Sequence, residues 1–201
     1  MPIWTSDTEL FALMRREMFT AVVGDVMDRI GLQTQFLPPH LTVLDRSMII
    51  AGRAMTVLEA DVFEEISETG ANPLMAKPFG LMSTRALHLK AAGAVLDGYV
   101  RDSNEILELG LPVASRGCYA QDQGPRGKVI DYNVPLTIGQ VRVNPGDIIF
   151  GDCDGVLCVP REHETQVVTA ALEKVRGESA VRKAQQDGMS TVEAFETFGI
   201  M

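Results

Sequence analysis

The stretch FGLMSTRALHLKAAGAVLDGYVRDSNE, residues 79–105, decides how this chain is read. Gly80 marks a flexible turn, Leu81 to Ala92 form an apolar helical run, and Ala94 to Asp97 form a short strand. A strand-to-helix loop then carries Arg101 and Asp102, with Glu105 three positions after the aspartate. This order brings the glycine turn and the charged pair together beyond the carboxyl end of a strand, where ligands collect in open α/β sheets. An arginine there can grip a carboxylate through two parallel N–H donors, and an aspartate can hold a hard cation.

Working outward, Ser103 to Leu109 predicts a short helix and Leu111 to Ser115 a strand, which completes βαβ grammar. Upstream, Ser6 and Glu9 form a capping box for a helix over about Asp7 to Met18, and Val22, Val23, Val26, Met27 and Ile30 give a second helix closed by Gly31. Met48 to Leu58 reads as a strand interrupted by a bulge at Gly52. Asp61 to Pro78 shows no period and predicts an irregular connection bordering the site. Past Gly117 the chain turns to short strands, and Gly151-Asp152-Cys153-Asp154-Gly155 between two apolar runs is a hairpin signal. A long amphipathic helix from Arg161 to Gln186 follows, then a terminal helix opened by a Ser190 and Glu193 capping box. With no internal repeat or linker, residues 1–201 are expected to form one domain.

Composition removes several functions. A net charge of −9, from 18 Lys plus Arg against 27 Asp plus Glu, argues against a nucleic-acid partner. No apolar run is long enough for a membrane helix and the N-terminus has no signal-peptide order, so a cytoplasmic protein without a membrane partner is expected. Three cysteines, Cys118, Cys153 and Cys158, with no CxxC fit reduced thiols. Walker, GxGxxG, HExxH and zinc patterns are all missing, and Asp152-x-Asp154-Gly155 lacks the remaining ligands of a calcium loop. The charged cluster itself has a plain reading: Asp102 as a helix N-cap and Glu105 as its capping-box partner, which spacing alone favours. An arginine before the cap fits that reading poorly, because it repels the positive end of the helix dipole.

Four pieces then combine: Gly80-x20-Arg101-Asp102-x2-Glu105, Gly110-Leu-Pro-Val-Ala-Ser-Arg116-Gly117, Pro145-Gly146-Asp147, and Gly151-Asp-x-Asp-Gly155-Val-x-x-Val-Pro160. Together, from about Thr20 to near Glu178, they resemble the RraA-like family, which holds the divalent-metal 4-hydroxy-4-methyl-2-oxoglutarate aldolases and the regulator of ribonuclease E activity A. The resemblance implies a compact α/β/β/α sandwich of the swivelling-domain kind, assembled as a homotrimer or homohexamer with sites between subunits. It implies that Asp102 ligates Mg²⁺ or Mn²⁺, while Arg101 and the backbone of Phe79, Gly80, Leu81 and Met82 hold a small 2-oxo acid. The implied activity is class II pyruvate-aldolase cleavage, with oxaloacetate decarboxylation through the same enolate, Arg101 and Asp102 being the catalytic residues. Glu178 is a candidate acid for a neighbour's site. The alternative is a non-catalytic regulator that binds a ribonuclease. Many aldolase members carry an acid directly after the motif glycine, where this chain has Leu81, so the resemblance implies a reaction class and leaves the natural substrate open.

Overall fold

The computed structural model describes residues 3–61 and 79–198. Its helices are α1 (Asp7–Glu17), α2 (Thr20–Arg29), α3 (Phe79–His88), α4 (Ser103–Leu109), α5 (Glu164–Gln186) and α6 (Thr191–Phe198). Its strands are β1 (Thr42–Val43), β2 (Ile50–Arg53), β3 (Val57–Asp61), β4 (Ala94–Val95), β5 (Val113–Ser115), β6 (Gly127–Tyr132), β7 (Leu136–Ile138), β8 (Val141–Val143), β9 (Ile148–Asp152) and β10 (Gly155–Val159).

Successive strand side chains point to opposite faces, and that alternation builds the layers. Leu157 and Val159 of β10, Ile148 and Phe150 of β9 and Ala51 of β2 face a cluster with Leu10, Met14, Val23, Met27 and Val168 from the helices α1, α2 and α5. Their neighbours Val156, Cys158, Ile149 and Ile50 face the other way, toward Ala114, Val95, Val141 and Val143. The far faces of β4 and β5, at Ala94 and Val113, meet Val100, Ile106 and Leu111, with Ala86 and Leu87 of α3 packed against them. Helices therefore cover the sheet β10-β9-β2, which packs on the sheet β1-β5-β4, which is covered in turn by α3 and α4. This is the expected α/β/β/α sandwich. Phe150 at its centre is fully buried, and trimming such a ring to Ala costs about 3–5 kcal/mol.

Local signals account for most element ends. Ser6 Oγ accepts from Glu9 N at 3.3 Å, and Glu9 reaches back to Thr5 N at 2.7 Å, one residue before the cap itself. Ser190 and Glu193 close a full capping box at 3.2 and 3.0 Å. Helix α2 ends in a Schellman motif, with Gly31 at φ 85° and Leu32 N donating to Met27 O at 2.8 Å.

Four expectations are corrected. Gly80 lies in the first turn of α3, and the helix stops at His88 where the sequence predicts continuation to Ala92. Lys90 takes φ 62°, and the bonds Lys90 N to Leu87 O and Ala91 N to Ala86 O close a second Schellman motif, here without the usual glycine. The strand expected over Met48 to Leu58 is two strands, β2 and β3. Between them Ala54 N donates to Asp147 O at 2.8 Å and Thr56 Oγ1 to Val134 O at 2.6 Å, which draws the backbone out of the first sheet. The register shift lies at Leu58/Glu59 rather than at Gly52. Gly52 serves close packing instead, because a Cβ there would meet Ala92 Cβ at 2.9 Å. The irregular connection expected from Asp61 to Pro78 lies, beyond Asp61, outside the described residues.

Arg53 was not singled out by the sequence, yet it ties layers together. Its guanidinium bonds Asp7 at 2.6 and 3.0 Å, pairs with Glu164, and lies over the Phe11 ring at 5.6 Å. Those hydrogen bonds hold the Asp7 carboxyl below its ordinary value.

Candidate active site

Strands β4 and β5 run parallel, with Ala94 beside Val113 and Val95 beside Ala114, and α4 connects them. Beyond their carboxyl ends the two following loops are joined backbone to backbone. Arg116 N donates to Gly98 O at 2.8 Å, Val100 N to Gly117 O at 3.0 Å, and Tyr119 N to Val100 O at 2.8 Å. Each loop carries an arginine, and the two arginines differ. Arg116 is committed to Asp97, with Nε at 2.9 Å and NH2 at 2.7 Å from the same oxygen. Arg101 is held loosely: Nε lies 3.5 Å from Asp102 Oδ2 and NH1 lies 3.3 Å from Asp122 Oδ1, longer than the ~2.7–2.9 Å of a charge-assisted hydrogen bond.

An open cleft of about 440 Å³ lies between residues 100–103 on one side and Cys118, Tyr119 and Ala120 on the other. Tyr119 forms one wall and meets Tyr99 edge-on, with ring centroids 5.8 Å apart. Arg101 and Asp102 both line this cleft.

Asp102 overturns its plain reading. It occupies the N-cap position of α4, but its side chain makes no capping hydrogen bond, so the capping box with Glu105 does not form. The backbone explains why. Asp102 sits at φ 58°, ψ 36°, and this left-handed conformation departs from the extended one that aims a cap side chain at the helix N–H groups. A non-glycine residue there costs roughly 1 kcal/mol, strain of the kind that concentrates at functional sites. Its carboxylate, 39% exposed, is left facing the cleft. An oxygen donor so placed suits Mg²⁺ or Mn²⁺, hard ions that keep several waters and accept one or two protein carboxylates.

The other expected residues fare differently. Phe79, Gly80, Leu81 and Met82 form the first turn of α3; Met82 is half-buried, and the described hydrogen bonds and ion pairs do not extend from it to Arg101 or Asp102. The side chains of Phe79 and Leu81 lie outside the described set. Glu178 pairs with Lys174 at 2.8 Å, and the same ammonium holds Asp25 at 2.7 Å, so that acid is engaged within its own chain.

Asp152, Cys153 and Asp154 gather three potential metal donors at the tip between β9 and β10. Asp152 is already satisfied there. It accepts from Thr20 N and Thr20 Oγ1 at 2.7 Å each and from Asp154 N at 2.9 Å. Since the local N-cap of α2, Phe19, has no side-chain acceptor, Asp152 caps that helix from across the fold. The hairpin reading of this motif stands.

Asp122, Tyr119 and Cys118 were not recognised as site residues from sequence. Cys118 and Tyr119 are brought to the site by the parallel bridge between Val100 and Cys118, a pairing that exists only in the fold.

A model of the RraA-like family, described as Aldolase/RraA, matches residues 20–158. A relative from Halalkalibacterium halodurans, provisionally named 4-hydroxy-4-methyl-2-oxoglutarate aldolase, is 34% identical over 200 residues, covering 92% of this chain and 93% of its own. Two solved structures share the fold. An uncharacterized protein from Pseudomonas syringae pv. tomato has a TM-score of 0.80 at 24% identity, covering 96% of this chain and 98% of its own. Streptomyces coelicolor RraAS2, described as an unusual member of the RNase ES inhibitor RraA family, has 0.72 at 23%, covering 90% of this chain and 100% of its own. With more than half its length matched by the family model and a relative aligned nearly end to end, this chain belongs to the RraA-like family.

Proposed function

We propose that this chain is a divalent-metal-dependent lyase. It splits a 4-hydroxy-2-oxo dicarboxylic acid between C3 and C4 to give pyruvate and a second 2-oxo acid, and it decarboxylates oxaloacetate. The observation that carries this reading is Asp102: a strained residue at a helix start whose carboxylate ignores the helix and faces a cleft beside Arg101. The aldolase name of the relative aligned over 93% of its own length supports the same chemistry. A regulator acting only through its outer surface would not require that strain.

Asp102 would hold a Mg²⁺ or Mn²⁺ ion, which would supply Lewis-acid polarisation of the 2-oxo group. Arg101 binds the adjacent carboxylate and stays beside it as negative charge builds on the enolate. Backbone N–H groups in the first turn of α3, Phe79–Met82, lack helical partners as at every helix start and supply further donors to the 2-oxo acid. As the C3–C4 bond breaks, its electron pair moves onto the 2-oxo group. The C4 hydroxyl loses its proton to water in the open cleft, and C3 of the enolate takes a proton back to give pyruvate.

The active form is a homotrimer or a dimer of trimers in the cytoplasm. Exposed apolar residues along the β3–β6 ribbon, Met55, Val57, Leu58, Ile130 and Tyr132, support assembly, because a lone subunit would leave this surface in water. No described helix is long and apolar enough to cross a membrane.

The deciding experiment is pyruvate release from 4-hydroxy-4-methyl-2-oxoglutarate and from oxaloacetate, with and without Mg²⁺, in wild type and Asp102→Ala. Turnover that needs both the ion and Asp102 is expected. Activity indifferent to chelator, or to the substitution, would sink the mechanism.

A further inference from the structure

Arg101 and Arg116 follow neighbouring parallel strands, yet only Arg116 is locked by short hydrogen bonds. Both edges of the Arg101 guanidinium are covered by acids: Asp102 stands on the Nε side at 3.5 Å and Asp122 on the NH1 side at 3.3 Å. The strongest grip on a carboxylate arriving from solution uses two parallel N–H donors from one edge, so one resident acid withdraws for that grip to form. Asp122 is the better placed to do so. Its side chain is 60% exposed, against 39% for Asp102 and 28% for Arg101. It also has a second partner to fall back on, because Asp122 Oδ1 accepts from Gly124 N at 3.3 Å. Its backbone meanwhile stays anchored, with Asp122 O accepting from Arg126 NH1 at 2.8 Å.

We propose that Asp122 tunes substrate affinity by competition: its carboxylate rests on Arg101 NH1 and gives way to the carboxylate of the 2-oxo acid. Asp122 therefore acts as a built-in competitor for the anion site. This rests on the reading of Arg101 as the substrate's carboxylate grip. An exposed ion pair contributes at most about a factor of five to an equilibrium, which bounds the effect and places it on binding.

The test is calorimetric titration of the full chain with pyruvate in saturating Mg²⁺ at low ionic strength, for wild type, Asp122→Asn, Asp122→Glu and Arg101→Lys, with steady-state kinetics on the same proteins. For Asp122→Asn, a Kd about two- to fivefold lower than wild type is expected, with KM falling in proportion and kcat within about twofold. The gain should shrink in high salt, and Asp122→Glu should keep the wild-type Kd. An unchanged or weaker Kd in Asp122→Asn would overturn the proposal while leaving Arg101 in its role. Wild-type pyruvate affinity in Arg101→Lys would instead remove the grip itself, and the proposal with it.

Discussion

At the hairpin tip Asp152 commits its oxygens to Thr20 N, Thr20 Oγ1 and Asp154 N, whereas at the cleft Asp102 makes no capping bond and bears a left-handed backbone. Both residues sit at turns, and both have a helix start within reach. Asp152 stabilises a helix far away in sequence, 132 residues from its own position. Asp102 stands at the start of its own helix and leaves it uncapped. The contrast shows how to tell a structural acid from a chemical one: count which oxygens the fold has already used, and look for strain that the fold gains nothing from.

The sharpest way to break the contrast is Asp102→Gly. Glycine accepts the left-handed conformation freely, so stability against urea should be unchanged or up to about 1 kcal/mol higher. Pyruvate release should fall at least about 100-fold, since losing a Lewis acid removes several kcal/mol of transition-state stabilisation. A clear loss of stability would reveal a structural bond at Asp102 and erase the distinction. Asp152→Ala should behave in reverse. Removing this remote cap and leaving the buried Thr20 hydroxyl unpaired should cost about 2 kcal/mol, with kcat/KM of the folded protein unchanged. Lost turnover without lost stability would mean that the hairpin also serves the cleft.

Each region carries an exposed cysteine, Cys118 in the cleft and Cys153 at the tip, which allows a gentler test. Iodoacetamide at about pH 8 should label both. Blocking Cys118 should lower turnover severalfold, while blocking Cys153 in Cys118→Ser should leave it alone. Cys158 should stay unmodified in the native protein. Burial, reinforced by the Asp147 carboxylate, pushes its thiol up to about 12, so almost no thiolate forms at that pH. Peptide mapping showing early alkylation of Cys158 would contradict the packing of β10 between its two cores.

Much of this was legible in the chain. The α4 helix over Ser103–Leu109, the Ser6 cap, the Ser190–Glu193 capping box, the Gly31 cap and the Asp152 hairpin follow from local rules in which a residue's neighbours in sequence are its partners in space. So does the placement of Arg101 and Asp102 after a parallel strand. What failed either lacked its usual local signal or had distant partners. Lys90 closed α3 where no glycine announced an end. Thr56 left the first sheet for a carbonyl 78 residues away. Asp122 reached Arg101 across a gap that spacing does not encode.

By itself, the sequence determined the βαβ order, the change to short strands after Gly117, and the charged pair in the loop after β4. These depend on period, caps and turn chemistry, all short-range. Only the tertiary structure decided what each acid is for. A carboxylate's role depends on which donors surround it, and the donors of Asp152, Asp97 and Asp122 come from segments that the chain brings together only on folding.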